Sequence, residues 1–249
     1  TNLLVKYIIM KKSFYIFYTI IFITSCNTPI DNTNLMQIDG VISDLRKGSL
    51  FLKKYQDSVL VTIDSFEIKG NGVFNLKAEL NGPEIFHLYL KKDDGDSLND
   101  RIVFFGSKGN IKIKTRLKTF ESSAYIEGSE NNDLLEEYKS ISRKFNSKNL
   151  ELLKLYLEAQ KSQNIKLIDS FQKQINRLNK RRYLYTLNFA NTHSDKMISP
   201  FIIITEMDNA NPSYLDTIAK KMPENIRNSK YGKSFFRILK RNKKEVKLD

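Results

Sequence analysis

The hydrophobic period of this chain changes once, at Gly128, and that change constrains its fold more than any other feature. Before Gly128, apolar residues recur at every second position over short runs. Leu50-Phe51-Leu52-Lys53 and Ile111-Lys112-Ile113-Lys114 alternate, or nearly alternate, apolar and basic side chains, as half-buried strands do. Runs of this kind fall at 36–42, 50–55, 58–63, 72–78, 84–91, 101–105, 110–115 and 123–127. Asn71-Gly72, Asn81-Gly82-Pro83 and Gly109-Asn110 punctuate the gaps, and Asn-Gly is a hairpin signal because both residues tolerate positive φ. Eight short strands predict an antiparallel β-sandwich or open barrel over residues 35–129.

After Gly128 the spacing becomes helical. Ser129 to Asp133 offers several N-caps. Leu134, Tyr138, Ile141 and Phe145 follow, then Leu152, Leu155 and Tyr156. A second helix starts near Ile165 and carries Ile168, Phe171, Ile175, Leu178, Tyr185 and Phe189. The polar break at Lys161 to Asn164 predicts an antiparallel helical hairpin. Pro200, Pro212 and Pro223 punctuate shorter helices at about 199–208, 212–221 and 230–241. Residues 130–249 are therefore read as an α-helical region with a basic tail, and the fold class as α+β. In the last helix Phe235, Ile238 and Leu239 share a face, which is expected to pack on the hairpin.

The N-terminus reads as a signal. Lys11 and Lys12 form a positive region, Ser13 to Thr24 a short apolar run, and Ile23-Thr24-Ser25-Cys26 resembles a lipobox. At about 1.5 Å per residue the apolar run reaches only about 20 Å as a helix, short of a roughly 30 Å hydrocarbon core. An uncleaved signal anchor is the alternative. Residues 1–25 are thus expected to be a signal peptide, with 1–9 upstream of a true start at Met10. Lipidation is expected at Cys26, on a tether spanning 26–34. That places the protein in the cell envelope, at the outer membrane, facing the periplasm or the surface.

Charge narrows the partners. The chain has 41 Lys and Arg against 28 Asp and Glu, a net of +13, and loss of Lys6, Lys11 and Lys12 with the signal leaves +10. From Lys220 to the C-terminus, 11 basic residues face three acidic ones. The expected counter-charge is anionic lipid rather than nucleic acid, because export separates the chain from nucleic acid and no recognition motif is present. A solvated basic tail, meeting no partner, is the plainer reading and is preferred to both. Cys26 is the only cysteine, so its lipidation leaves no disulfide, no redox pair and no thiol nucleophile.

Few residues invite chemistry. His193-Ser194-Asp195 has the residue types of a triad, but adjacent residues cannot converge on one another. His87 lies in a strand, on the outer face, and a zinc site needs three or four ligands. Asp93, Asp94, Asp96 and Asp100 gather calcium-type oxygens without the spacing of an EF-hand loop, and a charged hairpin loop is the plainer reading. Asp57-Ser58-Val59, Asp96-Ser97-Leu98 and Asp216-Thr217-Ile218 resemble the Asp-Ser/Thr-aliphatic acceptor of Bacteroidota O-glycosylation. Ser97, Ser58 and Thr217 are the corresponding candidates, Ser97 first because its loop should be exposed. No catalytic residue, metal or cofactor is expected.

Gly40-Val41-Ile42, Asp64-Ser65, Gly72-Val73-Phe74, Gly109-Asn110-Ile111-Lys112-Ile113 and Ile126-Glu127-Gly128-Ser129 together resemble the domain of unknown function 4369. The helical part is similar too, from Phe189 through Ser199-Pro200-Phe201 to Met222-Pro223 and Ser229-Lys230-Tyr231-Gly232. The resemblance implies the N-terminal region of exported thioredoxin-like thiol:disulfide oxidoreductases of Bacteroidota. This chain stops at Asp249, about where their catalytic domain would begin, and it has no Trp and no second Cys. The expected function is a non-catalytic, lipid-anchored binding or assembly module with an unknown envelope partner. The alternative is an accessory subunit that docks a separately encoded thioredoxin-like oxidoreductase.

Overall fold

Strand-forming alternation becomes eight strands in the computed structural model, which describes residues 34–92 and 100–246. They are β1 (Leu35–Ser43), β2 (Lys47–Gln56), β3 (Val59–Lys69), β4 (Val73–Glu79), β5 (Glu84–Lys92), β6 (Arg101–Gly106), β7 (Gly109–Arg116) and β8 (Tyr125–Glu127). Two four-stranded sheets result, ordered β4-β1-β7-β8 and β3-β2-β5-β6. Their inner faces meet in one core: Met36, Ile38, Leu76, Ile111 and Ile113 against Leu50, Leu52, Phe86, Leu88 and Phe104. The two sheets stay separate, so the fold is the sandwich and not the open barrel. One pair departs from the antiparallel expectation. β1 runs parallel to β7 on one edge, while β4 pairs with its other edge antiparallel.

β3 reaches Lys69, six residues beyond its expected end at 63. The register against β2 shifts between Leu52 and Lys53, a bulge that lets the strand continue through Asp64-Ser65. There the Asp64 carboxylate accepts the Ser65 and Lys77 backbone N–H groups, both at 2.8 Å. Since Lys77 lies in β4, this one side chain ties the two sheets together.

The helices are α1 (Glu130–Lys161), α2 (Ile165–Thr192), α3 (Ile198–Glu206), α4 (Pro212–Lys221), α5 (Glu224–Arg227) and α6 (Lys230–Glu245). Ser129, Asn164, Asn211 and Ser229 each accept an N–H of the helix they precede. α1 and α2 form the expected hairpin. A second core joins Leu135, Tyr138, Leu187, Phe189, Ile198, Ile202, Leu215, Ile218 and Phe235.

The last helix differs from expectation in two ways. Its apolar face packs on α3, α4 and α5 rather than on the hairpin. It also runs to Glu245 rather than ending near 241. Asn242 explains the extension: its amide donates to the carbonyls of Asp208 and Ala210 at 2.8 and 2.9 Å. Lys243 adds an ion pair with Asp216 at 2.6 Å.

Two adjacent buried amides fix the start of α1, one to the sandwich and one to α3. Asn132 Oδ1 accepts Phe105 N–H at 3.1 Å, and Asn131 Oδ1 accepts Ile198 N–H at 2.9 Å. Phe105 turns away from the sandwich core and meets the rings of Phe201 and Tyr231. Beyond Tyr138 the only buried side chains of α1 are Leu152 and Ala159, and α2 buries none before Thr186. The far half of the hairpin is therefore a two-helix arm without a third layer. Among the described residues no helix is long and apolar enough to cross a membrane.

Candidate functional site

A cleft of about 970 Å³ opens where the sandwich meets the N-terminus of α6. β2 supplies Lys54 and the start of β5 supplies Glu84, and their charged ends meet at 2.5 Å with both side chains mostly buried. Lys54 also lies 5.6 Å from the centre of the Phe86 ring. Glu84 has a second cation: Lys230, the first residue of α6, stands 3.7 Å from its other oxygen. Lys230 donates in addition to the Tyr55 carbonyl at 2.6 Å. The next residue, Tyr231, accepts the Ile85 N–H at 2.9 Å through its hydroxyl. Burial, reinforced by the Glu84 charge, pushes the Tyr231 phenol up to about 12 against the opposing pull of that hydrogen bond. The hydroxyl therefore stays protonated and neutral across the physiological range.

The rest of the rim is rich in amides: Asn34, Asn81, Asn225 and Asn228. Asn34 is held by the Lys108 ammonium, which donates to its side-chain carbonyl. One carboxylate between two ammonium groups, ringed by amides, is built to meet polar groups. It presents hydrogen-bond donors and acceptors of both charges.

The outer face of the second sheet carries an aromatic and basic platform beside this cleft. Tyr55 and Tyr89 flank His87, with ring centroids 5.4 and 6.3 Å away. Lys53 Nζ stands 5.1 Å from the Tyr89 ring centre and 5.6 Å from that of Phe51. His87 is on the outer face, as its alternation requires, yet the neighbouring rings leave it only 8% exposed. Its Nδ1 has no hydrogen-bond partner among the described residues. Burial first, and the Arg101 guanidinium second, hold its imidazole below the usual histidine range.

The candidates read from sequence are scattered. Cys26, Ser97, Asp93, Asp94 and Asp96 lie outside the described residues. Asp100 pairs with Lys92 at 2.5 Å. Ser58 sits with Asp57 in the exposed β2–β3 turn, at φ of 72° and 45°. Thr217 is exposed on α4, and its hydroxyl donates to the Ser213 carbonyl. His193 closes α2 with Nδ1 2.9 Å from the Phe189 carbonyl, while Ser194 is buried and Asp195 points to Lys196. Among the described residues no cluster of three metal-ligand side chains forms. The cleft residues gave no sequence signal: Lys54, Glu84 and Lys230 are far apart in the chain, and nothing in their spacing relates them.

Residues 36–135, which cover the strands and the first turns of α1, match the family described as Domain of unknown function (DUF4369). No curated protein matches the chain. A solved structure described as "pT26-6p" is 12% identical, with a TM-score of 0.22; the alignment covers 79% of this chain and 42% of that one.

Proposed function

We propose that this carrier of a domain of unknown function is a non-catalytic binding or assembly module of the cell envelope. Lipid on Cys26 holds it at the membrane, and the Lys54–Glu84–Lys230 cleft receives its partner. The carrying observation is the cleft itself: about 970 Å³, with charges of both signs and four amides converging from the sandwich, the segment before β1, α5 and the start of α6. Its position suits the reading. Asn34 is part of the rim, and the eight residues that follow Cys26 up to it span at most about 29 Å. A partner in the cleft would then be held close to the bilayer.

The test is crosslinking in living cells. A photoreactive residue is placed at Asn81 or Asn228 on the rim, and at Lys118 away from it. The same adduct from both rim positions, absent from Lys118, is expected. Adducts shared by all three positions, or none from the rim, reject the cleft. If the captured partner is a thioredoxin-like oxidoreductase, the accessory-subunit reading holds. Fatty-acid labelling checks the anchor independently, because Cys26→Ala should abolish the label.

A further inference from the structure

Of the twelve exposed large hydrophobic side chains among the described residues, five lie on the outer part of the two-helix arm. Leu150 is 66% exposed, Leu153 41%, Leu157 48%, Ile165 80% and Leu167 44%. Leu150, Leu153 and Leu157 follow i, i+3, i+7 spacing and form one stripe on α1. At 100° per residue this stripe lies about 140° from the face holding Leu152 and Ala159, so it points away from α2. Arg143, Lys154 and Lys161 fall on the same side of the helix and bracket the leucines. Ile165 and Leu167 are also exposed, at the start of α2, but about 200° apart around its axis, so they lie on different sides of the arm.

The arm is also strongly basic. From Arg143 to Arg181 there are ten Lys and Arg against Glu151, Glu158 and Asp169, a net of +7. Among the described residues Lys144, Lys161, Lys166 and Lys180 have no carboxylate partner; Lys154 has one at 4.0 Å along its own helix. In the C-terminal helix Arg241 and Lys243 are engaged by Asp208 and Asp216, and that helix turns its apolar face into the second core rather than to solvent.

We propose that the arm is a membrane-docking element, whose Leu150–Leu153–Leu157 stripe enters the interface of an anionic bilayer while Arg143, Lys154 and Lys161 meet its headgroups. Charge complementarity selects this occupant. A second copy of the chain would set one +7 arm against another, whereas an anionic bilayer offers headgroup charge for the lysines and an acyl boundary for the leucines. Docking is independent of lipid on Cys26, so the two proposals can fail separately.

The test uses the full chain with Cys26→Ser, which removes both the lipid acceptor and the only other thiol. L153C on the arm, or V59C at the far end of the sandwich as control, is labelled with an environment-sensitive dye. Vesicles are pure phosphatidylcholine, or phosphatidylcholine with one third phosphatidylglycerol. The expected result is a blue shift for L153C on anionic vesicles alone. It should be absent for V59C and reduced at least fivefold in amplitude by 0.5 M salt or by K154E/K161E, with circular dichroism unchanged. An equal shift on neutral vesicles, an equal shift at V59C, or no shift overturns docking. A shift without vesicles that grows with protein concentration overturns it in favour of self-association.

Discussion

Gly40 faces Phe74 across the β1–β4 pair, and a Cβ there would lie 2.1 Å from the ring's Cζ. Phe74 is 2% exposed and cannot swing clear, so Gly40→Ala overpacks the core and should cost about 2–3 kcal/mol in urea unfolding. Gly72 is constrained by backbone instead: at φ of +68° its Cβ would strike the Ile42 carbonyl at 2.2 Å. Both glycines stand out in the sequence, but the reasons for them lie in chain segments some thirty residues away. His87 makes a prediction with a definite sign. Its folded pKa lies below the unfolded value of about 6.5, so the native state holds fewer protons than the unfolded one. The associated stability is complete above about pH 6.5 and is lost as pH falls toward the folded value. Melting temperature should therefore drop between pH 7.5 and pH 5.5, and His87→Gln should flatten that drop. An equal drop in both proteins would remove His87 from the account.

Asn132 shows how an element is attached as well as begun. The segment Ser129 to Asp133 reads as a set of caps, and Ser129 does cap α1. The amides beside it instead secure α1 to β6 and α3, which local pattern cannot show because both partners are distant. Asn132→Ala leaves a buried Phe105 N–H without its acceptor and should cost about 1–3 kcal/mol, with faster hydrogen exchange at that amide. Strand positions were legible because the pleat writes a local alternation. The extra length of β3 was not: a bulge at Ile63 carries the strand on through Asp64-Ser65, and the Asp64 carboxylate serves the opposite sheet. The hairpin was legible on both flanks of its turn, since seam and solvent faces repeat with helical period. The packing of α6 was not, because an apolar face does not name the surface it meets.

Across the whole molecule, Glu84 bridges the sandwich and α6, between Lys54 and Lys230. Glu84→Ala should cost about 2 kcal/mol, between the value of an exposed pair and that of a fully buried one, since both Lys54 and Glu84 keep a little exposure. Shortening the arm by equal turns within 147–177 should shift the melting temperature by less than about 5 °C, because it removes only Leu152 and Ala159 among buried side chains. A larger loss would mean that the arm supports the body. The candidate cleft was invisible in sequence because its charges come from three elements that only the finished fold assembles. Finished is also a matter of order. Met36 meets Gly109, 73 residues further on, through the parallel β1–β7 pair, whereas β2 with β3 and β5 with β6 close across short links. Loop closure disfavours the distant pairing until much else has formed. A chain emerging from its N-terminus therefore carries its first strand with one open edge until the seventh arrives. Pulse-labelled refolding should find β2–β3 amides protected early and the β1 amides facing β7 last, and nascent chains ending before Gly109 should be the ones that clump.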